Sequence, residues 1–376
     1  MVGEMIADGV IERLSHSVGL RVIARQSTSV LHSITRINEI ERRLDAAFVL
    51  SGSYTIRNGQ LTVTAELTEA RSQVLLWAGQ LRQALRDLLH EASELLHELA
   101  HIVARILGKA QVHQALTRPL PSLGSGFLML AGISMVHSHS DKLFERGREA
   151  FTVLSTRHPK HAHPCAWLAM WHALNVIKGR SADVARDVRQ AREQTQRALS
   201  TEPKNAMALA TEGYIQCQLL GNPQQARGYL TSAIEANPSE PMAWLFKSLY
   251  SAGWGSSSLS VTEVTFARTL SPVDPLQYFF DVLIGNAFLA DHQLKQAIAC
   301  GRQSLRINKR HVPTLRLLLT AHAELGQIDE GKSTLDQLLA ETPRLTVSSY
   351  LSMGSAENPL RQRMAKAMRQ LGLPEV

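Results

Sequence analysis

Prolines that end helices recur through the second half of the chain at nearly fixed spacing. ALSTEP closes at Pro203, AIEANP at Pro238, SPVDP at Pro275 and LAETP at Pro343. The successive gaps are 35, 37 and 68 residues, and the last is close to two equal intervals with a midpoint at LRINKR, around Lys309. Proline has no N–H to continue a helix and its ring collides with the preceding turn, so each one fixes a stop. Small residues recur before these stops, at Ala191 and Ala198, Ala226 and Ala233, Gly285 and Ala297. Such punctuation divides the chain into units that must bury their apolar faces against one another.

A period of about 34 residues is that of tetratricopeptide (TPR) repeats, antiparallel helix pairs stacked into a superhelix. Their inner helices line a concave groove that takes extended peptides or helices. The consensus is weak in TFARTLSPVDP and around GWGSSS, so some units are degenerate, and Phe127 to Pro159 is read as a first pair. Register counted from Gly285 and from the helix ending at Gly326 places Asn286 and Arg316 in the groove; the same offset adds Tyr214 and Gln218. These four are the expected partner-binding residues, with Lys332 on the convex face.

The first hundred residues have another texture. Ile6, Val10, Leu14 and Val18 recur at helix spacing, LRVIAR (20–25) reads as a strand, and Ile37, Ile40 and Leu44 mark a second helix. AAFVLSGSYTI (46–56) and LTVTAEL (61–67) flank Asn58-Gly59, the strongest short hairpin signal, and VLLWAG (74–79) adds a third strand to the meander. The expected organisation is therefore an α+β domain over 1–112, with a small mixed sheet and helices. A linker over 113–126 containing TRPLPSLGSG follows, then an all-α TPR-like superhelix with a closing helix over 127–376.

Three stretches imitate chemical sites. HELAH (97–101) satisfies H-E-x-x-H, which in a zinc peptidase gives two ligands, here His97 and His101, and a general base, Glu98. A helix is expected over roughly 84–108. On it Leu85, Leu88, Leu89, Ala92, Leu96, Leu99, Val103, Ile106 and Leu107 share one face. His90, His97 and His101 fall opposite, toward solvent, whereas a zinc helix turns its histidines into a cleft. No G-x-x-H continuation follows, and the nearest later acid is Asp141. GQIDEGKS (326–333) matches the phosphate-loop pattern, but a helix precedes it where a buried strand is required, and Asp329 and Glu330 would crowd an anion. HPKHAHPC (158–165) gathers His158, His161, His163 and Cys165 in a turn between repeats. No catalytic residue, metal site or cofactor is expected from any of them.

The net charge of +7 is dispersed, and RQRMAKAMRQ (361–370) spreads its bases around a helix, which reads as a solvated surface with no nucleic-acid face. Three well-separated cysteines suit a reducing compartment. MVGEMIADGV carries two acids and no basic run ahead of an apolar core, so no signal peptide is expected. The longest apolar run, GFLMLAGISMV (126–136), is too short for a membrane span of about 20 residues. A cytoplasmic protein is expected.

The segments ADGVIERLSHSVGLRVIARQST (7–28) and INEIERRLDAAFVLSGSYTIRNGQLTVTAELTEARSQVLLWAGQ (37–80) resemble the TolB-like α/β domain. That domain accompanies TPR repeats in bacterial adenylate-cyclase-associated proteins and CadC-type transcriptional regulators, and LRQRMAKAMRQLGLPE resembles the closing helix of the former. The resemblance implies an apolar strand before Ala7-Asp8-Gly9, which Met1 to Ile6 is too short to supply, leaving an open edge at 20–25. It further implies a non-enzymatic module of a signalling or transcription regulator that binds a protein or peptide in its groove. An upstream effector domain would lie on the same or a separate chain. The competing readings are a zinc metallopeptidase through HELAH and a TPR scaffold without signalling output.

Overall fold

Ile6, Val10 and Leu14 stand one helical turn apart and are buried together on α1 (Val2–Ser15). The structure, a computed structural model, describes residues 2–15, 22–29, 36–89, 93–138, 140–271 and 276–376. Two compact units divide the chain, Met1–Thr117 with 271–275 and Arg118–Leu270 with Leu276–Val376, and each is described by itself.

The first unit continues with α2 (Arg25–Ser29) and α3 (Ile37–Leu44), then β1 (Phe48–Arg57), β2 (Gln60–Glu69) and β3 (Leu75–Ala84), and ends in α4 (Glu94–Thr117). Asn58 and Gly59 both have positive φ, 49° and 74°, the geometry a tight hairpin turn requires, and they set Arg57 opposite Gln60. The sheet has the order β1-β2-β3, with both pairings antiparallel. On β2 the alternation works as expected: Leu61, Val63, Ala65 and Leu67 are buried while Thr64 and Glu66 are exposed. This face, α1 and the Leu96, Leu99 and Val103 face of α4 form one apolar cluster. Close approach of α1 to α4 depends on Gly9, where a Cβ would lie 2.6 Å from Leu96 Cδ1.

Two expectations are corrected here. Residues 22–24 of LRVIAR form no strand, and Arg25 opens α2. A short apolar run cannot declare its own pairing. Val22 packs on the cluster without a ladder, and Arg25 reaches back to α1 through Asp8 Oδ1 (2.6 Å) and Glu4 Oε1 (3.4 Å). Val18, Leu20 and Arg21 lie outside the described residues, as do His90 and Ala92. The helix carrying HELAH also begins later than residue 84. β3 runs to Ala84, a 3-10 turn follows over Leu85–Leu89, and α4 starts at Glu94, where Gln83 Oε1 accepts from Leu95 N (3.1 Å).

Among its described residues the second unit is built of six helix pairs. They are α5 (Ser125–Val136) with α6 (Asp141–Arg157), α7 (Ala162–Ile177) with α8 (Val184–Thr201), and α9 (Ala206–Gln218) with α10 (Pro223–Ala236). Then come α11 (Pro241–Trp254) with α12 (Ser257–Leu270), α13 (Gln277–Ala290) with α14 (Leu294–Ile307), and α15 (Val312–Glu324) with α16 (Ile328–Glu341). Two closing helices, α17 (Val347–Ser352) and α18 (Pro359–Gln370), complete the unit. Pro203, Pro238 and Pro343 fall in the turns between pairs, as does Lys309; Pro275 lies outside the described residues. Inner helices are apolar and buried almost all round, whereas an outer helix such as α8 buries only Ala191, Thr195 and Ala198. At Gly213 a Cβ would meet Leu230 Cγ at 2.6 Å, which is why a small residue marks that crossing. Gly326 (φ +72°) sits in the turn between α15 and α16, so GQIDEGKS spans a repeat turn preceded by a helix, and Lys332 is exposed on α16.

Leu99 is 2% exposed, whereas His97 and Glu98 are exposed. Leu99→Ala is therefore expected to cost about 2–4 kcal/mol. His97→Ala and Glu98→Ala should each stay within about 0.5 kcal/mol of the parent in urea unfolding.

Candidate binding site on the axis of the repeats

The inner helices turn one polar position after another toward the axis of the second unit. Tyr214 and Gln218 on α9, Asn286 on α13 and Arg316 on α15 all line one cavity of about 100 Å³. Sequence register thus brings the four together, but not onto an open groove: Tyr214 and Arg316 are only 5% and 4% exposed. Tyr350 on α17 and Asn358, Leu360, Arg361 and Met364 around α18 form part of the same wall.

Specific bonds hold this closing segment. Ser355 N donates to Gln218 O (2.9 Å), Arg361 Nη1 donates to Tyr350 O (3.0 Å), and Asn358 Oδ1 caps α18 by accepting from Leu360 N and Arg361 N. The guanidinium groups of Arg316 and Arg361 lie 5.0 and 5.1 Å from the Tyr350 ring centre, within cation–π range. Arg316 Nη1 also donates to Ile177 O (3.2 Å) at the end of α7.

Further cationic groups converge here that sequence register missed. Lys178, just past α7, donates from Nζ to Val136 O (2.8 Å) and lies 4.7 Å from the Phe144 ring centre. Burial, reinforced by Arg180, pulls its ammonium down to about 7; Asp141 opposes the shift but pairs with Arg180 at 3.0 Å. His137 and His311 are held well below the usual imidazole range by burial first and by Lys178 second. Arg316 is lowered to about 10 by burial above all. None of the described residues lining the cavity is acidic. Arg361 corrects the reading of RQRMAKAMRQ as a wholly solvated face: it is 8% exposed. No sequence signal separated it from Arg363 and Arg369, which pair with Glu324 and Glu375.

The imitated sites are arranged otherwise. His97 and Glu98 face outward on α4, and His101 is half-buried, its imidazole lowered by burial and then by Arg105. His158 Nε2 lies 2.7 Å from Ser125 Oγ, His163 Nδ1 lies 3.3 Å from Asn205 Nδ2, and Cys165 is buried. Among the described residues no three His, Cys, Asp or Glu side chains gather as a metal site, and no helix is long and apolar enough to cross a membrane.

Paired antiparallel helices in this succession define a TPR-like superhelix. Residues 2–102 match a family described as the HilA/YgeH-like transcriptional regulator, second domain. No curated protein matches the chain. Solved structures similar to it include PilW, a widely conserved type IV pilus biogenesis factor, at 19% identity and TM-score 0.41, covering 56% of this chain and 86% of that one. A TPR protein of Thermus thermophilus matches at 15% identity and TM-score 0.38, covering 57% of this chain and 100% of its own. A TPR protein from Parabacteroides merdae matches at 12% and 0.40, covering 71% and 93%.

An unfolded lysine titrates at about 10.4 and Lys178 at about 7, so between these values the folded chain binds fewer protons than the unfolded one. Stability contributed by this group rises with pH across that window, and its penalty is complete below about pH 7. Lys178→Met should therefore melt higher than the parent at about pH 6, by a margin that shrinks toward about pH 9. A margin independent of pH in thermal melts would contradict the assignment.

Proposed function

We propose that this chain is a non-enzymatic regulatory module of a bacterial transcription or signalling regulator, and that its superhelix takes up a protein partner. The observation that carries the reading is the convergence of Tyr214, Gln218, Asn286 and Arg316, from three inner helices, on one axial cavity. The regulator-domain match over residues 2–102 supports a regulatory context, as does the resemblance of residues 7–28 and 37–80 to the TolB-like domain of adenylate-cyclase-associated and CadC-type proteins. An effector domain on the same or a separate chain would supply the output. An extended peptide or helix of the partner occupies the channel in place of α17 and α18 and contacts these four side chains. The module works in the cytoplasm without a cofactor.

A pull-down from a lysate of the native bacterium, quantified by mass spectrometry, tests this. Arg316→Gln should lose the partner that the parent captures, while Lys332→Glu, on the exposed outer helix, retains it. Circular dichroism on both variants separates lost binding from lost folding. Equal recovery by two folded variants would remove the groove from the proposal.

A further inference from the structure

The axial cavity is unusual in its charge. Lys178, Arg316 and Arg361 share its wall, all largely buried, and no described acidic residue lines it. Buried like charges without a counter-charge are strongly unfavourable, because desolvation and mutual repulsion add. Water can hydrate such a space but brings no charge to offset the two guanidinium groups and the protonated fraction of Lys178.

Its unused hydrogen-bonding atoms are more specific. Arg316 Nε, His137 Nε2 and Asn286 Oδ1 are buried and have no hydrogen-bond partner among the described residues. Tyr278 donates its hydroxyl proton to His137 O (2.7 Å), so the 3.0 Å contact between His137 Nδ1 and that hydroxyl is a donation from Nδ1–H. In the neutral ring Nε2 is then an acceptor. The cavity lining therefore combines charged donors with the unpartnered acceptors His137 Nε2 and Asn286 Oδ1.

We propose that the axial cavity binds a compact oxyanion that also carries an O–H group, of the hydrogen phosphate or short hydroxycarboxylate class. Its charged oxygens accept from Lys178, Arg316 and Arg361, and its hydroxyl donates to the unpartnered acceptors. A volume of about 100 Å³ has room for a small anion. Because Arg361 belongs to the closing segment, the bound anion stabilises the form in which α17 and α18 cover the channel. This site does not depend on the partner reading, since it is tested on the chain alone.

The experiment is calorimetric titration of the full chain with inorganic phosphate, lactate and sulfate at constant ionic strength. Phosphate or lactate should bind saturably at one per chain, with sulfate, which has no O–H at neutral pH, at least tenfold weaker. Lys178→Met and Arg361→Gln should each weaken binding at least tenfold, and Lys332→Glu should not change it. Two variants guard against one failing to fold, which circular dichroism reports. Absence of saturable binding by both phosphate and lactate would overturn the site. So would binding that survives in both folded cavity variants, and sulfate binding as tightly as phosphate would overturn the role given to the unpartnered acceptors.

Discussion

The inner helices of the repeats are apolar on nearly every side, and this obliges something to cover the face they turn to the axis. Neighbouring pairs cover the flanks; the axial face is left to α17 and α18. Leu360 and Met364 supply apolar area, while the Tyr350 ring centre lies 5.0 and 5.1 Å from two guanidinium groups. The closing helices are thus part of the core of the second unit, and the channel's chemistry follows from how they fill it.

What they leave is unfavourable. Apolar packing around Lys178, His137 and His311 keeps water from these groups, so the imidazoles stay neutral and the ammonium is weakened. Elsewhere in the same unit the chain solves this problem internally. Glu212 on α9 is equally buried, yet it accepts from Thr195, from Gln216 Nε2 (2.7 Å) and from Arg192 Nε (3.3 Å). Glu212 is thus a buried charge with its partners supplied by the chain, whereas the cationic groups of the cavity donate to backbone carbonyls and have no acidic residue among the described lining.

Much of the architecture was legible because it rests on local rules. Asn58-Gly59 dictates its turn, the alternation from Leu61 to Leu67 assigns a buried face, and Pro203, Pro238 and Pro343 stop helices wherever they occur. Register from Gly285 assigned Asn286 to a groove, and its side chain lines the buried cavity. Tertiary choices were not legible. LRVIAR alternates like a strand but packs Val22 without a ladder, and the start of α4 is set by Gln83, a side chain on another element. Arg361 read as an ordinary surface cation and Lys178 drew no reading, because nothing local announces that segments far apart in sequence will enclose them.

Tyr278 on α13 bonds to His137 beside α5, and Arg316 on α15 bonds to the end of α7, each tie joining pairs with three others between them. Stacked repeats held only by nearest neighbours behave as springs, extending by small slips at each interface. A stack laced across its own axis cannot stretch in that way. Pulled from its ends, this superhelix should hold its length until the ties break together, giving one abrupt rupture where an unlaced array would yield gradually.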